Sequence, residues 1–489
     1  MKKLLLSAVF AIVALTTTFA AQLNPFAYGL SSELSDDQTM LTITYSLNAP
    51  ATSVKVVITD GADFIKEYDC SSLGLAKGED YVLPISTSDF PRSTTLTWRI
   101  DVTGNAVNTP TRIDKEYYMY HPRSIDIDNN PESPNFGKVF VIEGLHDITA
   151  KSSSSVGSNA SGVTFGNYLS WGAGAGLYVF NAAFDNLPAS QGSVGYNGGL
   201  TYTAAEKIAV SGSEYNVYAP NRVKVSDDGR VFITLCAPVN RGVLLEADKY
   251  IFSNAEDRPA NWSATGWKKV LVGTRDANTE ELEDANGKFM AALNCDIDTK
   301  GSGENLQIML LSGTKNALIA DASEYTFSEY LLGENETWNK IPTKSWELSN
   351  TVVAYNVAQI EYDNEGGYWL CQDRSNSNEK TYPTLLHVNA QGTIDLKEHL
   401  LNRGGAGIRF NNDFTKVIIS GKSPNATISG VSTATKYTQG TLAWATVYRV
   451  TKENGAPKLT KIYEIDMSRL GNRLPDFAWD HANNIYACS

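Results

Sequence analysis

Six short stretches of this sequence share one pattern, and a recurring unit restricts the possible folds more than any composition can. They are "SIDIDNNPESPNFGKVFVIEG" from Ser124, "RVKVSDDGRVFITLC" from Arg222, "NCDIDTKGSGENLQIMLLSG" from Asn294, "QIEYDNEGGYWLCQD" from Gln359, "GIRFNNDFTKVIISG" from Gly407 and "DFAWDHANNIYACS" from Asp476. Each opens on two apolar residues spaced by two: Ile125/Ile127, Val223/Val225, Cys295/Ile297, Ile360/Tyr362, Ile408/Phe410 and Phe477/Trp479. Asp128, Ser226, Asp298, Asp363, Asn411 or Asp480 follows at once, then a polar turn and a second strand. Period two with a fixed turn is the pattern of a β-hairpin. An Asp or Asn can bond the backbone amides of its own turn, which is why turns favour it.

The intervals between the hairpins leave room for further strands, and "GLYVFNAAF", "VLLEAD", "TLLHVNAQGTIDL" and "TVYRVTKENGAPKLTKIYEID" fill four of them. Four strands per unit repeated around an axis is a β-propeller. The expectation is therefore an all-β chain with a six-bladed propeller over residues 121–489, against the alternative of a string of unrelated sandwiches. The last hairpin reaches the end of the sequence without outer strands. Either residues from the start of the propeller region supply them, or the natural chain continues past Ser489. By pattern this half resembles the six-bladed propellers of exported bacterial surface proteins of the Bacteroidetes type. It carries no G-H…W-D pair, no kelch glycine doublet and no sialidase box.

Ahead of it, "MLTITYSLN", "SVKVVITDG", "FIKEYDC", "DYVLPIS" and "LTWRIDVTG" alternate and are separated by Gly, Asn, Asp and Pro, the rhythm of a β-sandwich. "YSLNAPATSVKVVITDG" resembles the opening of immunoglobulin-like modules of the flagellar-hook-cap type. The resemblance covers residues 22–119 and implies a spacer or scaffold. At the N-terminus, Lys2 and Lys3 precede an apolar run and "TTTFA". This reads as a signal peptide over residues 1–20 with cleavage after Ala20, too short to span a membrane. A secreted or cell-surface protein is expected, with a periplasmic one as the alternative, and with no membrane insertion after the signal is removed.

Composition agrees: 24 Tyr, 38 Gly and a formal net charge of −13 without a basic run speak for strands and against a nucleic-acid partner. The five cysteines, Cys70, Cys236, Cys295, Cys371 and Cys488, are widely spaced and are expected as buried apolar residues, not a disulfide framework.

Chemistry-bearing motifs are sparse. The five histidines form no ligand pair, "GAGAG" and "GGAG" lack a phosphate-loop lysine, and there is no nucleophile elbow. "DIDNNPE" offers Asp126, Asp128 and Asn130 as calcium ligands, against the simpler reading of an acidic turn. No other cofactor is expected. In a propeller, ligands sit over the channel, beside the starts of the inner strands and the loops that leave the second strands. The first positions hold Arg123, Asn221, Arg222, Asn294, Gln359 and Asp476, and the second Arg241, Asp373 and Arg374. Arginines there could grip a carboxylate. The leading expectation is a non-enzymatic binding or scaffold protein whose propeller loops recognise a carbohydrate or protein partner. The alternatives are a glycan hydrolase or lyase using channel carboxylates, and a purely structural surface role.

Overall fold

A computed structural model describes residues 23–91, 95–105, 122–143, 176–184, 207–210, 213–216, 219–236, 242–247, 267–273, 296–312, 324–331, 343–349, 358–372, 385–398, 407–422, 443–467 and 476–488. The expected signal peptide lies outside them. Among the described residues no helix is long and apolar enough to cross a membrane.

The first six strands are β1 (Ala27–Leu34), β2 (Met40–Leu47), β3 (Ser53–Thr59), β4 (Ile65–Asp69), β5 (Gly78–Ser86) and β6 (Thr97–Thr103). They form two antiparallel sheets, ordered β1-β2-β5 and β4-β3-β6. Alternation decides which side is buried. Ile43, Tyr45 and Leu47 of β2 meet Val54, Val56 and Ile58 of β3 in one core, with Cys70 and Ile85.

The remaining strands form the propeller. Blade one is β7 (Pro122–Ile127), β8 (Val139–Glu143) and β9 (Gly176–Phe180), followed by a separate hairpin of β10 (Lys207–Val210) and β11 (Ser213–Asn216). Blade two is β12 (Ala219–Val225), β13 (Val231–Cys236), β14 (Gly242–Ala247) and β15 (Trp267–Gly273). Blade three is β16 (Ile297–Lys300), β17 (Gln307–Ser312), β18 (Glu324–Leu331) and β19 (Lys344–Ser349). Blade four is β20 (Ala358–Tyr362), β21 (Tyr368–Gln372), β22 (Leu385–Val388) and β23 (Ile394–Glu398). Blade five is β24 (Ile408–Phe410), β25 (Lys416–Lys422), β26 (Ala443–Glu453) and β27 (Ala456–Asp466). Blade six, among the described residues, is the hairpin of β28 (Asp476–Trp479) and β29 (Ile485–Cys488). The inner strands β7, β12, β16, β20, β24 and β28 neighbour one another in turn, and β28 lies against β7, so the ring closes.

One rule places the apolar residues. In blades one, four, five and six the inner strand turns its apolar pair toward the preceding blade. Ile360 and Tyr362 pack with Met309 and Leu348 of blade three. Ile408 and Phe410 pack with Trp369, Cys371 and Leu385 of blade four. Phe477 and Trp479 pack with Ile418, Ala445 and Val447 of blade five. Ile125 and Ile127 meet Ala478, Tyr486 and Cys488 of blade six. In blade three the register differs by two residues from the sequence alignment. Ile297 and Thr299 pair with Leu310 and Ile308, so Cys295 precedes the strand and Asp298 is not the turn residue. Asp298 follows Cys295/Ile297 in sequence as the cap follows its pair elsewhere, but it is a strand residue paired with Met309.

The turns behave as their residues imply. Asp363 Oδ1 accepts the N–H groups of Glu365 at 2.8 Å and Gly367 at 2.6 Å, and Asp480 Oδ1 those of Ala482 at 2.9 Å and Asn484 at 2.8 Å. Gly229, at φ +83°, sits so close to blade one that a Cβ would lie 2.2 Å from Ser133 Oγ. Cys70, Cys371 and Cys488 are buried.

Phe477 is fully buried between blades five and six. Phe477→Ala should cost about 3–5 kcal/mol, read as a lower urea midpoint. An unchanged midpoint would contradict the ring described here.

Candidate functional site: the axial channel

The inner strand of each blade has no neighbouring strand on the axial side. Its outward-facing N–H groups need acceptors, since an unpaired buried amide is costly. The alternate residues of the inner strands, those not in the apolar pairs, meet this need. Ser124 Oγ accepts from Val223 N–H at 3.2 Å and Asp126 from Val225 N–H at 2.7 Å. Asp296 accepts from Ile360 N–H at 2.6 Å and Asp298 from Tyr362 N–H at 2.5 Å. Gln359 accepts from Ile408 N–H at 2.8 Å. Asp476 accepts from Ile125 N–H at 3.2 Å, which joins the last inner strand to the first. Between blades five and six the direction reverses: Arg409 Nε donates to the Phe477 carbonyl at 3.1 Å and Trp479 Nε1 to the Arg409 carbonyl at 3.1 Å.

Three cations fill the axis among these acids. Arg222 pairs with Asp296 at 3.0 Å and approaches Asp476 at 4.0 Å. Lys224 bridges Asp298 at 2.8 Å and Glu361 at 3.3 Å. Arg409 pairs with Glu361 and reaches Asp476 at 3.5 Å. Gln359 donates to Asp476 at 2.9 Å. Asp126, Asp296, Asp298, Glu361, Asp476, Arg222 and Arg409 are all buried. Burial raises the Asp126 and Asp296 carboxyls above the usual range and pushes Glu361 up to about 7, against the pull of Lys224. Burial works the same way on Asp476, but Arg409 and Arg222 outweigh it and hold that carboxyl below its ordinary value. A buried charge persists only when it is compensated: Asp296, Asp298, Glu361 and Asp476 each face a cation, and Asp126 accepts from Val225 N–H.

Arg222, Gln359 and Asp476, three of the residues expected around the channel, are thus brought together, but as parts of this network. The Arg123 backbone carbonyl accepts from Arg222 at 2.8 Å. Arg241, Asn294, Asp373 and Arg374, and the side chain of Asn221, lie outside the described residues. The expected calcium ligands do not form one cradle. Asp126 faces β12, while Asp128 accepts from Asn130 N–H at 3.0 Å and Ser133 Oγ at 2.5 Å as a turn cap. Asn130 in turn accepts from Glu132 N–H at 2.9 Å. This is the acidic-turn alternative. No cluster of His, Cys, Asp or Glu fit to hold a metal occurs among the described residues.

Lys224, Asp296, Asp298, Glu361 and Arg409 were not anticipated. Their signal was present, because each stands next to an apolar pair member and so faces the opposite side of its strand. His387 is locally bonded: its two ring nitrogens lie 2.5 Å from Asp395 and 2.8 Å from Asp363. Burial disfavours its charge, but those carboxylates prevail and raise its pKa.

No family model matches this sequence, and no curated protein does. Among solved structures, the chain is similar to a family 43 β-1,3-galactosidase with galactodeoxynojirimycin, at 9% identity and TM-score 0.35 over 67% of this chain and 92% of that one. It is similar also to the Aleuria aurantia lectin with α-methyl-L-fucoside, at 10% identity and TM-score 0.32 over 76% and 88%. A third is a family 43 endo-arabinanase from Bacillus licheniformis, at 13% identity and TM-score 0.31 over 70% and 97%. What those proteins bind or cleave is a property of those proteins.

Two outcomes are expected. Arg409→Met leaves Glu361 and Asp476 short of a buried cation and should cost about 3–5 kcal/mol. Adding Glu361→Gln should restore part of that loss in a urea double-mutant cycle. Second, the fold raises the Glu361 pKa, so its stabilising protonation is complete below the unfolded value and lost as pH rises through about 7. Wild type should therefore lose more stability than Glu361→Gln between about pH 5 and about pH 8, measured by thermal melts.

Proposed function

We propose that this is an exported, non-enzymatic binding or scaffold protein that recognises a carbohydrate or protein partner with the loop face of its propeller. The observation that carries this reading is the commitment of the axial carboxylates. Hydrolysis of a glycosidic bond uses one carboxyl as acid and a second as base or nucleophile, both facing the sugar. Here Asp126, Asp296, Asp298, Glu361 and Asp476 are already bonded to backbone amides or to Arg222, Lys224 and Arg409. Glu361, with a pKa near that of a general acid, faces two protein cations. Recognition then falls to the segments that join the blades. On this reading Arg123, Asn221, Asn294, Arg241, Asp373 and Arg374 line the ligand face, where arginines suit an anionic sugar or a peptide carboxylate. Residues 22–119 act as an immunoglobulin-type spacer, and residues 1–20 direct export to the cell surface or beyond it.

The test is a glycan array probed with the chain from residue 21 onward. Retention of a defined set of glycans is expected, and Arg241→Ala with Arg374→Ala should abolish it while leaving the melting temperature within about 2 °C. Arg222→Ala should instead lower the melting temperature. Release of free sugar from any retained glycan, lost in Glu361→Gln, would establish the hydrolase or lyase alternative.

A further inference from the structure

Blade six is a bare hairpin among the described residues, yet it completes the ring. Its turn is gripped by chain from the far end of the sequence. Asn24 N–H donates to Asn484 Oδ1 at 2.6 Å, Asn484 Nδ2 donates back to the Asn24 carbonyl at 3.0 Å, and Asn24 Nδ2 donates to the Ala482 carbonyl at 3.0 Å. Asn484 is itself fixed by Asp480, which accepts from its Nδ2 at 2.7 Å. Two residues on, the Phe26 ring packs edge-on to Phe136 of the blade-one turn, 5.6 Å between centroids, and lies 6.3 Å from His481 of the blade-six turn. Phe136 and His481 are 5.3 Å apart, so the three rings span the seam where the ring of blades closes. Gly137, at φ +79°, leaves the space for Phe26, since a Cβ there would stand 3.1 Å from it.

The same segment is tied to the two-sheet unit. Phe26 N–H donates to Asn48 Oδ1 at 2.7 Å, Asn48 Nδ2 donates to the Asn24 carbonyl at 3.2 Å, and Asn48 N–H donates to the Phe26 carbonyl at 3.3 Å. Asn48 is buried just after β2. Residues 24–26 are therefore bonded on one side to the two-sheet unit and on the other to blades one and six.

We propose that the two-sheet unit is the closing clasp of the propeller: through Asn48, Asn24 and Phe26 it holds the blade-six hairpin against blade one. It is a conformational device that sets how readily the ring opens, and it is independent of which ligand the loops bind. Asn48 is the sharpest probe, because its bonds run to Asn24 and Phe26 and not to the blade-six turn. Its effect on blade six must pass through the clasp.

The test is amide hydrogen exchange on the full chain, comparing residues 476–488 with residues 219–236 of blade two as an internal reference. Asn48→Ala, Phe26→Ala and Asn484→Ala are each expected to speed exchange at 476–488 by about tenfold or more while leaving 219–236 within about twofold. If Phe26→Ala does not fold, the two asparagine variants carry the test, since each deletes only hydrogen bonds. Equal acceleration of both regions, or none at 476–488 in Asn48→Ala, overturns the proposal.

Discussion

The propeller depends on how its inner strands satisfy their axial amides. A blade is a sheet with one edge against solvent and one against the axis, and the axial edge has no strand to pair with. Here a side chain of one blade reaches the main chain of the next: Ser124 and Asp126 bond β12, Asp296 and Asp298 bond β20, Gln359 bonds β24, and Asp476 bonds β7. These bonds do for adjacent blades what a ladder does for adjacent strands. They also explain why so many acids lie on the axis, because a carboxylate offers two acceptor oxygens from one short side chain.

Concentrated carboxylates require counter-charge, and Arg222, Lys224 and Arg409 supply it. Burial, with Asp298 and Asp126 nearby, pushes Glu361 up to about 7 against Lys224 and Arg409, while Arg409 and Arg222 outweigh burial at Asp476 and hold it low. A central cluster of acids is therefore a structural element here. It locks blades one, two, four, five and six around Asp476 and leaves none of the five axial carboxylates without a protein partner.

Outside the axis, two further layers hold the blades. The apolar pairs of the inner strands of blades one, four, five and six pack on the blade before them, and hairpin turns interlock. Asp227 and Asp228 accept from Gly301 and Gly303 of the next turn at 2.8 and 3.0 Å, and Asn411 donates to Asn483 at 2.9 Å. Polar zipper, apolar wedge and turn contacts all act between consecutive blades, so each blade is specified by its neighbours.

The amino-acid sequence by itself determined the hairpins, the turn chemistry and the propeller. Period-two alternation fixes which side of a strand is apolar, and Asp363 or Asp480 caps its own turn within four residues. Such information is local and can be read in order along the chain. What the polar face of each inner strand does was decided only by the tertiary structure. Asp476 and Ile125 are 351 residues apart, and Arg409 and Glu361 are 48 apart. Nothing near Asp476 in sequence announces that its carboxylate closes the ring, and the repeat pattern placed Asp298 in a turn when it stands in β16. A side chain's face follows from its neighbours along the strand, but its partner follows from how the blades are wound about the axis.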